Sequence, residues 1–119
     1  MIKNFKDLNA WKEAHKLVLL IYKLSEKFPK KENFALSNQV TRAAVSITSN
    51  IAEGFARNSS KDKIQFYTIA RGSLSELESQ FVIAKDLGYI EKDELNNLEE
   101  KIVTVSKLIS GLIKSAPTK

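Results

Sequence analysis

The nearly uncharged stretch from Leu36 to Arg57 constrains the fold more than any other part of the sequence. It has the length of a helix, contains no proline and carries only three charged residues, Arg42, Glu53 and Arg57. Its apolar residues recur in steps of three and four, the spacing that places side chains on one face of a helix. They are Leu36, Val40, Ala43, Ala44, Ile47, Ile51 and Phe55. The other positions are mostly small, so we expect this helix to pack on several sides as the inner helix of an all-helical domain.

Three further segments show the same periodicity, and the predicted helices cover about residues 7–28, 34–55, 61–87 and 91–115. In the third and fourth segments the apolar residues form heptad seams, which are typical of knobs-into-holes packing. These seams are Tyr67, Ala70, Leu74, Leu77, Phe81 and Ala84, and Leu95, Leu98, Ile102, Val105, Ile109 and Leu112. Because short connections make successive helices antiparallel, the sequence predicts one all-α domain over residues 1–119, an up-down-up-down four-helix bundle.

Three glycines carry separate predictions. Gly54 and Gly88 lie near predicted helix ends, where glycine readily adopts the left-handed conformation that stops a helix. Gly72 lies in mid-helix, where glycine costs about 1 kcal/mol relative to alanine. That cost indicates a close backbone crossing, which we expect against the small residues of the second helix. Residues 116–119, after the last helix, are predicted to form a frayed tail.

The charge of the chain is unevenly distributed around a net value of +5. Residues 1–31 hold eight lysines and three acids, whereas residues 86–100 hold six acids and one lysine. Basic zones favour an anionic partner, nucleic acid first, although a solvated surface explains the same charges. With no cysteine, no long apolar run and no signal-peptide pattern at the start, the sequence predicts a cytoplasmic protein without disulfides.

Groups that could carry catalysis are scarce. His15 is the one histidine, no Glu-x-x-His pair of the di-iron type is present, and the glycines are isolated instead of forming a phosphate loop. We therefore predict a protein that is not an enzyme, with no catalytic residues, no metal site, no cofactor and no small-molecule substrate.

Polar residues on the two middle helices pose a different question. Arg42 and Glu53 lie on one stripe of the second helix with Ser46 and Ser49 between them, and Arg71, Glu76 and Glu78 lie on the third. Charges embedded in apolar helices are costly unless paired. One hypothesis is that the arginines pair with these glutamates across helices or subunits, and the alternative is a ligand-binding cleft.

The strongest candidates for nucleic-acid contacts surround the start of the third helix. Arg57, Lys61 and Lys63 lie there, and a helix N-terminus offers free N–H groups and a positive dipole to a phosphate. Lys12 and Lys16 of the first helix add to the basic surface. No motif that reads bases can be identified.

Several of these segments together resemble one family. They are FKDLNAWKEAHKL, FPKKENFALSNQVTRAAVSITSNIAEGFAR and FYTIARGSLSELESQFVIAKDLGYI, with Arg42-Ala43-Ala44, Ser49-Asn50-Ile51-Ala52-Glu53-Gly54, Arg57, Ala70-Arg71-Gly72-Ser73 and Glu76-Leu77 as the most telling pieces. Over Phe5 to Ile90 the chain resembles the four-helix-bundle family of 23S ribosomal RNA intervening-sequence proteins. Two departures are Thr41, where the family often has a second arginine, and Tyr67, where it often has leucine.

The resemblance implies a small cytoplasmic bacterial protein, originally encoded inside intervening sequences of large ribosomal RNA genes. It also implies a ring-shaped homopentamer, and a similar bundle serves as an accessory nucleic-acid-binding subunit in diversity-generating retroelements. No catalytic residues transfer. The matching polar positions are interpreted as structural or interface residues: Arg42, Asn50, Glu53, Arg71, Gly72 and Glu76.

Together these observations favour a homo-oligomeric, non-enzymatic bundle that binds RNA or DNA through phosphate contacts. The alternative is a scaffold or adaptor for another protein, in which the basic zones serve only to keep the surface hydrated.

Overall fold

Four α-helices form the structure, a computed structural model that describes residues 2–116. They are α1 (Asn9–Ser25), α2 (Leu36–Ala56), α3 (Ser60–Asp86) and α4 (Lys92–Ser115), with 3-10 turns at Phe5–Asp7 and Lys30–Glu32. The described residues contain no strand. The predicted all-α fold is therefore confirmed. Of the predicted tail, Ala116 is buried at the end of α4 and residues 117–119 lie outside the described residues.

Successive helices run antiparallel, and α2 and α3 pack together most extensively. The apolar face predicted for α2 is buried from Leu36 to Ile51, and only Phe55 at its end is half-buried. Every predicted seam residue of α3 is buried as well. On α4 the seam is buried through Ile109, and Leu112 is half-buried. The repeat of three and four thus predicted the core because each position fixes which side of its helix a residue occupies.

The first helix is shorter than predicted. Leu8 has extended backbone angles and separates the 3-10 turn from α1, and the side chain of Asn4 caps that turn by accepting a hydrogen bond from the N–H of Lys6 at 2.9 Å. At the other end α1 stops at Ser25, ahead of Pro29, whose ring disfavours helical geometry in the residue before it.

The α3–α4 turn follows the predicted helix stop. Gly88 has a φ of 82°, the N–H of Gly88 donates to the carbonyl of Lys85, and the N–H of Tyr89 donates to the carbonyl of Ala84, each at 2.9 Å. This pair of bonds is the Schellman motif, which needs the left-handed conformation that glycine adopts without strain. The Tyr89 hydroxyl then donates to Glu32 Oε2 at 2.7 Å, which joins this turn to the α1–α2 connection.

Two glycine predictions are wrong. Gly54 lies within α2 and does not have a positive φ, which among the residues described is found at Gly88 alone. The Cα of Gly54 faces the ring of Tyr67. A Cβ at Gly54 would lie 2.6 Å from Tyr67 Cε1, so this glycine marks the close approach of α2 and α3. Gly72 is exposed, and a Cβ there would meet nothing within 4 Å among the described residues. The close crossing was therefore assigned to the wrong glycine.

Candidate nucleic-acid interface

The antiparallel order of the helices gathers the basic residues at one end of the bundle. We define the basic end as residues 2–16, 53–63 and 110–116, which hold eight lysines and arginines and four acids. At the opposite end, residues 23–39 and 83–94 hold six basic and six acidic residues. The net charge of the chain is therefore concentrated at the end where α2 meets α3.

Arg57 lies at the corner between α2 and α3, where it ends α2 in extended conformation. Its Nη2 donates to Glu53 Oε2 at 2.6 Å, and its guanidinium carbon lies 4.7 Å from the centre of the Phe66 ring. Both side chains of the ion pair are more than two-fifths exposed, so the pair contributes about 0.3–0.5 kcal/mol. The arginine is held in place on an aromatic face. It still presents its charge to solvent.

Lys63 has a different role from the one the sequence predicts. Its ammonium donates to the carbonyls of Phe55 at 2.9 Å and of Gly54 at 3.3 Å, and it lies 5.6 Å from the centre of the Phe55 ring. Both carbonyls belong to the last turn of α2, where carbonyls have no partner from a following turn, and the Gly54 carbonyl also accepts from the N–H of Arg57 at 3.2 Å. The lysine therefore caps α2, and its hydrogen bonds are directed into the protein.

The other predicted basic contacts are on the surface. Lys61 lies in the first turn of α3, is exposed, and forms no ion pair within residues 2–116. The Ser59 hydroxyl caps this helix by accepting from the N–H of Asp62 at 3.1 Å. Lys12 and Lys16 are exposed on α1, and Lys16 Nζ lies 3.1 Å from Glu13 Oε2. The structure thus brings Lys12, Lys61 and Arg57 to one end and leaves their charges exposed.

The polar stripe on α2 and α3 does not form the predicted ion pairs within the chain. Arg42, Arg71 and Glu76 are exposed, and Glu53 pairs with Arg57 in its own helix. Arg71 Nη1 instead donates to Ser110 Oγ on α4 at 3.4 Å. Arg42 and Glu76 line a shared surface concavity of about 480 Å³ without forming a salt bridge. Pairing between subunits stays a prediction.

Glu78 has a carboxylate neighbour instead of an arginine. A side-chain hydrogen bond with Glu99 on α4 raises the pKa of Glu78, and partial burial and repulsion from Glu99 act in the same direction. Elsewhere, burial raises the pKa of Tyr67, and the hydrogen bond to Glu32 raises the pKa of Tyr89. These shifts follow from packing and do not assemble a reactive group.

Asn50, which the sequence motif suggests is a structural or interface residue, forms its hydrogen bonds within α2. Its Nδ2 donates to the Ser46 carbonyl at 2.8 Å and to Ser46 Oγ at 3.0 Å. Ser46 Oγ lies 2.9 Å from Ser73 Oγ, and Ser73 Oγ donates to the Ile69 carbonyl at 3.1 Å. Because each hydroxyl has one hydrogen, the bonds run in one direction, from Asn50 through Ser46 to Ser73. Ser73 is the buried half of this link between α2 and α3, and it belongs to the family motif but not to the predicted site residues.

Aromatic rings at the basic end were also missed. The Trp11 and His15 rings are stacked with centroids 4.8 Å apart and planes 12° apart, and Phe5 packs edge-on against Trp11 at 5.3 Å. The spacing of four between Trp11 and His15 places them on one stripe of α1 and was the available signal.

Two absences concern the described part of the chain. Residues 2–116 contain no cluster of three or more histidine, aspartate or glutamate side chains that could hold a metal ion. Over the same range, no helix is both long and apolar enough to cross a bilayer.

The fold and the charge distribution define a small antiparallel four-helix bundle with one basic end. Within this class, the family model of the 23S rRNA-intervening sequence protein matches residues 6–111. The chain belongs to that family. The match continues past Ile90, where the resemblance noted in the sequence ended, and takes in most of α4.

A solved structure has the same fold. It is the 1.70 Å crystal structure of a protein with unknown function from the S23 ribosomal protein family of Bacteroides thetaiotaomicron VPI-5482. The two agree with a TM-score of 0.83 over 92% of this chain and 99% of that chain, at 23% sequence identity. At this identity the likeness shows the fold alone. No curated protein matches the chain.

Proposed function

We propose that this protein acts by binding nucleic acid through the phosphates, with the basic end as its contact surface, and not by catalysis. The observation that carries the proposal is the contrast between the two ends of the bundle, eight basic and four acidic residues at one and six of each at the other. A one-sided concentration of lysine and arginine is the electrostatic footprint of a nucleic-acid-binding protein.

The exposed cations supply the contacts in this proposal. Lys61, Arg57 and Lys12 present charge to solvent, whereas Lys63 is committed to the carbonyls at the end of α2. Each phosphate neutralised releases condensed counterions, so the logarithm of the binding constant must fall linearly with the logarithm of the salt concentration. A salt slope therefore counts the contacts without any knowledge of the target sequence.

We expect Lys61→Glu to weaken binding to a labelled oligonucleotide and to lower the salt slope by about 0.7–0.9, the value of one phosphate contact. The matched control is Lys92→Glu, because Lys92 is also exposed, also lies in the first turn of its helix, and changes the net charge equally. Glutamate suits a helix N-terminus at both positions. Fluorescence anisotropy at several salt concentrations provides the measurement.

Equal losses for Lys61→Glu and Lys92→Glu would mean that net charge alone drives binding and that the basic end has no special role. Absence of binding at low salt would refute the proposed function as a whole.

We further infer that copies of the chain associate through the α2–α3 face, defined as the outer surface around Phe34, Arg42, Val45, Ile69 and Glu76. Phe34 is 98% exposed, and Val45 and Ile69 are each about two-fifths exposed. Full burial of a phenylalanine side chain contributes about 1.5–3 kcal/mol. Arg42 and Glu76 add one charge of each sign that forms no salt bridge within residues 2–116, and a neighbouring copy can match both. The family resemblance favours a pentamer.

We expect the unmodified protein to have a mass near five times the 13.4 kDa of one chain, and Phe34→Asp to lower it toward a single chain. The variant places a charge where the contact needs an apolar ring, and desolvating an unpaired charge is costly. Val103→Asp, at another exposed apolar position on α4, is the control that should leave the mass unchanged. Size-exclusion chromatography with light scattering gives the masses. An unmodified protein that elutes as a single chain would rule out this association.

The same chromatography separates the second candidate function, a scaffold or adaptor for another protein. The exposed apolar side chains of the α2–α3 face are the observation that favours it. A protein that co-elutes without excess absorbance at 260 nm would support the adaptor, and excess absorbance at 260 nm would support nucleic-acid binding.

A further inference from the structure

The stacked rings of Trp11 and His15 form a flat exposed surface on the first half of α1. His15 is exposed and Trp11 is half-buried, because Phe5 of the 3-10 turn packs against the indole edge. The His15 ring therefore has Trp11 on one side, at a centroid distance of 4.8 Å. The core of the bundle does not use this ring, since the buried residues of α1 lie on another stripe, at Ala10, Ala14, Leu17, Ile21 and Leu24.

Two lysines lie on the adjacent stripe of the same helix. Lys12 and Lys16 each follow one of the aromatic residues in the sequence, so a stripe of two rings and a stripe of two cations are neighbours on the same helix. Lys12 forms no ion pair within residues 2–116, and Lys16 is 71% exposed despite its contact with Glu13. An exposed pair of that kind contributes only about 0–1 kcal/mol, so a phosphate can displace Glu13.

Rings and cations in this arrangement match the two chemical features of a nucleotide that is not base-paired. A base offers a flat face that stacks on an aromatic ring, and its phosphate offers a negative charge to a lysine. In a duplex the base faces are covered by their neighbours, so that only a single strand can use the rings.

We propose that Trp11 and His15 form a stacking platform for an unpaired base of a single-stranded nucleic acid, with Lys12 and Lys16 holding the adjacent phosphates. This inference rests on the proposed function and adds to it the class of nucleic acid that the basic end selects. The base lies against the outer face of His15 and is close enough to Trp11 to alter its fluorescence.

The chain contains a single tryptophan, Trp11, so the tryptophan fluorescence of the protein reports on this platform alone. Short oligo(dT), short oligo(U), and DNA and RNA duplexes of equal length are the probes, and anisotropy of a labelled copy of each measures binding independently. We expect both single strands to quench Trp11 over the same concentration range in which anisotropy rises. The duplexes are expected to bind through charge without quenching. The tighter of oligo(dT) and oligo(U) identifies DNA or RNA as the preferred strand.

Two variants isolate the ring itself. His15→Leu removes the flat surface and His15→Phe keeps it, while both remove the imidazole and its proton-binding nitrogens. We expect His15→Leu to weaken single-strand binding by about 5- to 150-fold, the usual effect of losing one stacking ring. His15→Phe should stay within about two-fold of the unmodified protein on the same scale, and neither variant should change duplex binding.

Binding by anisotropy without any change in Trp11 fluorescence, or equal losses in the two His15 variants, would overturn the platform and leave the proposed function standing. No binding to any of the four probes would overturn the proposed function itself, and the platform with it. Quenching by duplexes as strong as by single strands would also contradict the platform.

Discussion

Phe81→Ala is expected to lower the free energy of unfolding by about 3–5 kcal/mol, the usual range for removing a fully buried aromatic ring. Phe81 is completely buried in the α3 seam, and its ring centre lies 5.7 Å from that of Phe28. Phe28 in turn packs against Tyr89 at 5.5 Å, so the cavity would open under the α3–α4 turn. The loss combines the free energy that burial of the ring contributed with the cost of the cavity that the ring leaves.

Urea denaturation at one fixed protein concentration measures this loss, because association makes apparent stability depend on concentration. Leu19→Ala is the matched control: Leu19 is 58% exposed on α1, and we expect a change within about 0.5 kcal/mol. A Phe81→Ala loss below about 1 kcal/mol would contradict the packing of α3 described above, given the range seen at buried rings.

Gly54→Ala is expected to destabilise the protein by about 1–3 kcal/mol, the usual effect of overpacking a filled core. Helix propensity alone predicts the opposite sign, since alanine is favoured over glycine by about 1 kcal/mol inside a helix. The structure decides between them, because the new methyl would lie 2.6 Å from Tyr67 Cε1 and 2.8 Å from Cδ1. Tyr67 is 3% exposed, so its ring is enclosed by the close-packed core instead of lying at a surface where it could move into solvent.

A double-mutant cycle with Tyr67→Leu tests that cause. Leucine has no atom at the Cε1 position, so the penalty of Gly54→Ala should shrink in the Tyr67→Leu background, with a coupling energy of about 0.5–3 kcal/mol. Gly111→Ala is the control, since a Cβ at Gly111 in α4 would meet nothing within 4 Å in residues 2–116 and alanine should stabilise there. Additive effects of Gly54→Ala and Tyr67→Leu would show that the ring is not what excludes the methyl group.

The sequence predicted the core well because burial in a bundle follows from position on each helix. Leu77 and Phe81 are four apart on one helix and face the same side, whatever the neighbouring helix is. The close crossing, in contrast, was predicted at Gly72 and is found at Gly54. Gly54 lies three residues after Ile51 on the buried stripe of α2, but which helix approaches it there, and how closely, depends on how α2 and α3 cross.

The polar residues were less predictable, because a shared stripe does not imply contact. Arg42 and Glu53 are eleven residues apart and therefore about 16 Å apart along the axis of α2, at 1.5 Å per residue. Glu53 finds Arg57 four residues away instead, a pair that is visible in the sequence. The sequence motifs suggested ligand binding for Arg57 and a structural or interface role for Glu53, and neither prediction included an ion pair between the two.

Lys63 shows the difference between a charge that can be counted and a charge that can be used. Its ammonium already donates to the carbonyls of Phe55 and Gly54, so a phosphate that binds this ammonium must leave the Phe55 carbonyl to water, while the Gly54 carbonyl keeps the N–H of Arg57. Ligand binding at Lys63 would then be thermodynamically linked to fraying of the last turn of α2. A polyanion could therefore reach the charge of Lys63 only if the last turn of α2 unfolds. The stability of that turn would then limit how many cations of the basic end are available for binding.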